Sequence, residues 1–182
     1  MSRIQPVDPR SASGEAKQLL DAVQSQLGAT PNFIRVLARS PKTLGGFLGL
    51  YGGVGGSSID VATRERIALA VAESNACSYC VAAHTAIGRG AGLSHEEMRR
   101  NREGGSADAR AAAAVAFARA LNEHRGEVTA AEFDAVRRAG YDDAQIVEII
   151  AIVALNLFTN LLGKSVQVDI DFPKVPLLKA AA

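Results

Sequence analysis

The chain has 182 residues, 48% of them apolar, and its 20 basic and 19 acidic side chains leave a net charge of +1; that is enough to bury one core, and 1–182 reads as a single domain. Charges of both signs are interspersed, which excludes a surface that tracks a phosphate backbone, so no nucleic-acid partner is expected. Apolar runs such as Ile149 to Leu155 fall well short of the roughly 20 residues of a membrane span, and Met1 to Pro9 lacks the order of a secretory leader, so the expected setting is the cytoplasm, away from the membrane.

Alanine, leucine and glutamate recur at helical spacing almost throughout, and the fold class expected is all-α. Ser13-Gly14-Glu15 opens an amphipathic stretch to about Leu27, closed by Gly28 and Thr30-Pro31. Short helices are expected at 32–39 and 42–51, and the tract Gly52 to Ser58 reads as a flexible loop because glycine holds regular structure at an entropic cost. Val61 to Ser74 and Cys77 to Gly90, separated by Asn75-Ala76, form a helical hairpin. Ser94-His95-Glu96-Glu97 has the form of a capping box, and Gly104-Gly105 ends its helix. Helices at about 107–124, 129–139 and 142–163 follow, the second with the capping box Thr129 to Glu132; the third is the most apolar and is expected to be central. From Ser165 the alternation Val166 to Pro173 reads as an extended arm lying on the domain or on a neighbouring subunit.

Cys77 and Cys80 are the only cysteines. In a reducing compartment a structural staple is unusual, so a cycling pair or a metal clip is expected. Cys77, Cys80 and His84 are three and four residues apart and share one stripe of a helix, with Cys80 and His84 as direct neighbours. The helix start, with unpaired N–H groups and the positive end of the dipole, and the imidazole both favour thiolate. A cysteine with an unshifted pKa is only roughly 3% ionised at pH 7, so a modest depression raises its reactive fraction many-fold. Counting outward from the turn puts Glu65 at the level of His84 and Glu73 near that of Cys80. Either carboxylate could orient the imidazole, and counting does not choose between them.

The segments Arg64 to Val71 and Asn75 to His84 resemble the core motif of the alkylhydroperoxidase D and carboxymuconolactone decarboxylase superfamily. The likeness is clearest over about 30–95, and the tail Val168 to Pro173 looks like that of the peroxidase-related branch. In that family a glutamate lies twelve residues before the first cysteine and a histidine four after the second, spacings that fall on Glu65 and His84. The resemblance implies an AhpD-like helical bundle, a homotrimer or homohexamer, and thiol peroxidase chemistry with an antioxidant role. Cys80 would be the peroxidatic thiolate and Cys77 the resolving one, with Glu65 orienting His84. Helix-dipole reasoning alone favours Cys77 as the reactive thiol; the contact with His84 moves the choice to Cys80. The resemblance further implies a peroxide substrate, no bound cofactor, and an external thiol reductant, which in the best-known member is a lipoyl-bearing protein. Those best-known peroxidases carry a histidine between the cysteines where this chain has Tyr79, so Tyr79 and Glu73 are supporting candidates only.

Other readings of the same residues are a zinc clip, which offers three ligands where structural sites want four, and inert thiols in a helical core. A decarboxylase-like lyase and a non-enzymatic redox or interaction module are the alternative functions; the first does not use a cysteine pair. Asn156, Asn160 and Lys164 lie four apart on the apolar last helix and suit a pocket or a buried network. Phe47, Tyr51, Phe117 and Phe158 suit an apolar pocket or plain core.

Overall fold

The computed structural model describes residues 1–178, and its helix starts follow the capping residues. Nine helices are present among the described residues: α1 Gly14–Leu27, α2 Asn32–Leu37, α3 Pro41–Gly55, α4 Val61–Ser74, α5 Ser78–Gly90, α6 His95–Arg102, α7 Ala109–Glu123, α8 Ala130–Arg138 and α9 Asp143–Val166. Thr129 and Glu132 close a complete capping box on α8, and Asp142 with Gln145 closes a second on α9. At α6 only half of the expected box forms. Ser94 accepts from the Glu97 N–H, but the Glu97 carboxylate turns inward to Arg66, Asn101, Ser106 and the Ala107 N–H.

The glycine tract does not behave as expected. Helix α3 runs through Gly52 and Gly53 to Gly55, so the loop begins only at Gly56. Leu44 is fully buried, and Phe47 and Leu48 pack on the core beside α1 and α2. Tertiary burial of this face outweighs the low helix propensity of glycine.

Helix α4 is the hub of the bundle, packing against α5, α6, α7 and α9, with Ile67 to Ala72 buried without a break. Helix α9 lies beside it and also meets α3, α5 and α7. By length and composition alone its 24 residues could cross a membrane; here the helix is part of the core, with Ile146, Ile149, Ile152 and Val153 buried. It extends to Val166, beyond the expected end at 163, and Gln167 closes it in the left-handed region at φ 52°.

Over its described residues, to 178, the C-terminal arm is extended, forms no strand, and lies on its own domain. Asp169 accepts from the Ser2 N–H and hydroxyl. Asp171 accepts from the Asn32 N–H and from the Tyr79 hydroxyl. Further on, the Pro176 carbonyl accepts from Arg102, and the Leu178 N–H donates to Glu73.

Candidate active site

The α4–α5 hairpin turns at Asn75-Ala76, with Ala76 in the left-handed region at φ 51°. The Cys77 N–H donates to the Ala72 carbonyl at 2.9 Å, which ends α4 and sets Cys77 as the N-cap of α5. Cys77 Sγ accepts from the Cys80 N–H at 3.4 Å, and the two cysteines are joined as a disulfide. The α5 N-terminus thus aims the Cys80 N–H at Cys77 Sγ, an arrangement that favours thiolate at Cys77 when the bond is reduced.

Both cysteines are buried, Cys77 being 1% and Cys80 3% exposed. The two sulfurs are not equivalent, however. Cys80 lines a cleft of about 160 Å³ together with His84, and Cys77 does not. Cys77 is covered by α9, whose backbone approaches at Gly163; a Cβ built there would stand 3.1 Å from Cys77 Sγ and 3.7 Å from Cys80 Sγ.

His84, one turn beyond Cys80, places Nδ1 2.8 Å from Oε2 of the buried Glu65. A carboxylate only accepts, so Nδ1 carries the proton of this contact, and in the neutral imidazole Nε2 keeps its lone pair for use as a base. Counting from the turn left Glu65 and Glu73 open; the contact is made by Glu65. Glu73 is engaged elsewhere: its carboxylate pairs with Arg102 at 2.7 Å, both side chains being 9% exposed, and also accepts from the Leu178 N–H.

The Tyr79 hydroxyl is held by the arm and by α2. It donates to Asp171 at 2.9 Å and accepts from the Phe33 N–H at 3.3 Å, and burial pushes the phenol well above the usual range. It is therefore a neutral anchor for the arm, poorly suited to relaying protons. Phe172, held edge-on to Tyr79 at 5.7 Å, brings the arm into the cleft wall.

Helix α2 contributes Phe33 and Ile34 to the cleft, α3 contributes Phe47, Leu48 and Tyr51, and α9 contributes Leu155, Asn156 and Thr159. Burial and then the Glu65 charge raise the Tyr51 phenol, which stays protonated near neutral pH. Of the aromatic candidates, Phe47 and Tyr51 line the cleft, Phe158 packs on Phe47 at 6.0 Å, and Phe117 belongs to the other core cluster against Phe133. Asn160 and Lys164 hold the hairpin turn, the first by accepting from the Asn75 side chain and the second by donating to its carbonyl. Among the described residues the lining includes no Lys, Arg, Asp or Glu.

Residues 41–123 match the model of the carboxymuconolactone decarboxylase family. No curated protein matches the chain. The fold is similar to that of a peroxidase-related protein with an alkylhydroperoxidase AhpD core from Ralstonia eutropha JMP134, at 24% identity and a TM-score of 0.84, covering 93% of this chain and 92% of the other. A peroxidase-related protein from Silicibacter sp. TM1040 superposes with a TM-score of 0.78 at 24% identity, covering 91% of each chain. The debrominase Bmp8, in a variant bound to 2,3,4-tribromopyrrole, superposes with a TM-score of 0.79 at 22% identity, covering 94% of this chain and 92% of the other.

Proposed function

We propose that the chain is a member of the alkylhydroperoxidase D and carboxymuconolactone decarboxylase superfamily, as the family match over residues 41–123 supports, and that it is a cytoplasmic thiol peroxidase that reduces organic hydroperoxides through Cys77 and Cys80 in an antioxidant role. One observation carries this reading: Cys80 and His84, one turn apart, line the same cleft, and Glu65 leaves the imidazole ready to accept a proton.

With the pair reduced, His84 takes the Cys80 proton and the thiolate attacks the terminal peroxide oxygen. The O–O bond breaks, the alkoxide takes the proton from His84 and leaves as an alcohol, and Cys80 becomes a sulfenic acid. The Cys77 thiol then attacks the Cys80 sulfur and water departs, giving the disulfide. The sum is one hydroperoxide and two thiols converted to alcohol, water and disulfide. An external thiol donor, for which a lipoyl-bearing protein is the family's precedent, resets the pair, and no bound cofactor is required. Assembly into three or six copies is part of the proposal, supported by the exposed apolar residues Val147, Ile150 and Leu161 along α9.

A lyase acting on a muconolactone acid is disfavoured, because it does not use a cysteine pair and the cleft offers no Lys or Arg to receive a carboxylate. The aromatic lining does favour a second reading. A planar haloarene could lose its halogen to the same dithiol, giving arene, hydrogen halide and disulfide, as the likeness to the debrominase suggests.

The deciding assay follows hydroperoxide consumption with dithiothreitol as donor. Wild-type protein should turn over cumene hydroperoxide, Cys80→Ser should be inactive, and reduced Cys77→Ser, freed of donor before the peroxide is added, should form one equivalent of sulfenic acid and stop. Full turnover by Cys80→Ser, or none by the wild type, would reject the reading; halide release from a bromopyrrole in the same assay would establish the second.

A further inference from the structure

We propose that the electron donor enters through the cleft that admits the peroxide, attacks Cys80 Sγ and expels Cys77 as the leaving thiolate, and that this route selects neutral thiols over charged ones. The biological setting rests on the peroxidase reading; the exchange chemistry does not.

The first argument is reach. Thiol–disulfide exchange needs a thiolate to arrive at one sulfur while the other departs. Both sulfurs are almost fully buried, but the cleft extends to Cys80, whereas Cys77 is roofed by the α9 backbone at Gly163. A donor in the cleft therefore meets Cys80 first.

The leaving group gives the second argument. The sulfur of lower pKa departs faster. Cys77 is the N-cap of α5, and its Sγ already accepts the Cys80 N–H, so negative charge released there meets the positive end of a helix. On the attacking side, His84 lines the same cleft, and with Glu65 on Nδ1 its other nitrogen is free to take the proton of the incoming thiol. The balance is complete: R–SH and the disulfide give R–S–S–Cys80 and the Cys77 thiol, and a second R–SH then releases RSSR and the Cys80 thiol.

Charge gives the selectivity. With no Lys, Arg, Asp or Glu in the lining, an anionic donor loses much of its water and meets no fixed opposite charge in return, whereas a neutral one gives up little. A shared cleft also means that peroxide and donor exclude each other, so each should inhibit competitively at high concentration.

The test uses the oxidised full-length protein without any peroxide, so that a failed peroxidase reading leaves it intact. Reduction is timed with 2-mercaptoethanol and with 2-mercaptoethanesulfonate, which differ in a sulfonate two carbons from the sulfur. The neutral thiol should be faster per thiolate by roughly ten-fold or more; equal rates would overturn the route. In parallel, millisecond acid quenching, N-ethylmaleimide labelling and fragment mass spectrometry across Ser78-Tyr79 locate the mixed disulfide. Mercaptoethanol on Cys80 with maleimide on Cys77 is expected, and the reverse pattern would overturn the proposal. Where the intermediate is too short-lived to trap, the rate comparison decides.

Discussion

Replacing Gly163 by alanine should make the Cys77–Cys80 disulfide easier to reduce. The added methyl would stand 3.1 Å from Cys77 Sγ and 3.7 Å from Cys80 Sγ, and only the first is well inside the roughly 3.5–4.0 Å of a comfortable contact. In the disulfide, Cys77 Sγ is tied to its partner, so relief requires α5 or α9 to shift, and overpacking of this kind costs about 1–3 kcal/mol. In the dithiol, Cys77 is free to turn to another staggered rotamer and sheds most of that cost. Alanine's gain of about 1 kcal/mol over glycine inside a helix applies to both redox states and cancels. A net penalty of about 1.4 kcal/mol on the oxidised form is a ten-fold change in the equilibrium constant, or about 30 mV toward a more oxidising couple. Equilibration in graded dithiothreitol buffers, with free thiols counted by alkylation, reads the shift directly. A potential within about 10 mV of the wild type, or one that moves the other way, would show that α9 does not press on the sulfur.

Two further outcomes test the supports of the site. Tyr79→Phe leaves the Phe33 N–H and one Asp171 oxygen without their partner, and the expected loss is about 2–3 kcal/mol in urea unfolding, with faster amide exchange at Val168 and Asp169; an unchanged midpoint would remove the arm from the stability of the site. For Glu97, burial works to raise the carboxyl, but hydrogen bonds from Ser106, Asn101, the Ala107 N–H and Arg66 outweigh it and bring it down to about 2 from the ordinary 4.5. A group with a lowered folded pKa stabilises above its unfolded value and loses that contribution as pH falls, here between about 4.5 and about 2, with about 2 kcal/mol at stake after allowing for screening. The Glu97→Gln variant should lack this step, so parallel wild-type and variant stability curves across that window would refute the assignment.

Much of the site was legible because it is local. The spacing of Cys77, Cys80 and His84 places them on one helical stripe whatever surrounds it, and the hairpin follows from Asn75-Ala76. The choice between Glu65 and Glu73 was not legible from counting, because levels along a hairpin say nothing of how each helix is rotated about its axis. It is made by Arg102, 29 residues beyond Glu73, which occupies that carboxylate. Burial of the sulfurs and the cover at Gly163 were equally hidden, since both depend on where α9 crosses the hairpin. An isolated glycine in the apolar last helix, between Leu162 and Lys164, was the available signal of a close backbone approach. The arm was recognised as extended from its alternation, but its anchors are carboxylates that meet groups more than ninety residues away in the chain.

The six glycines within the fifteen residues of α3 leave one cleft wall different in kind from the others. At each of them an added Cβ would meet nothing within 4 Å, so tight packing does not account for them. Each forgoes about 1 kcal/mol of helix stability relative to alanine, and yet this helix carries Phe47, Leu48 and Tyr51 against any guest. The wall is therefore compliant where the α5 and α9 walls are stiff, and a molecule wider than the resting gap would be accommodated by give in α3, leaving the sulfur, imidazole and carboxylate on their rigid side undisturbed.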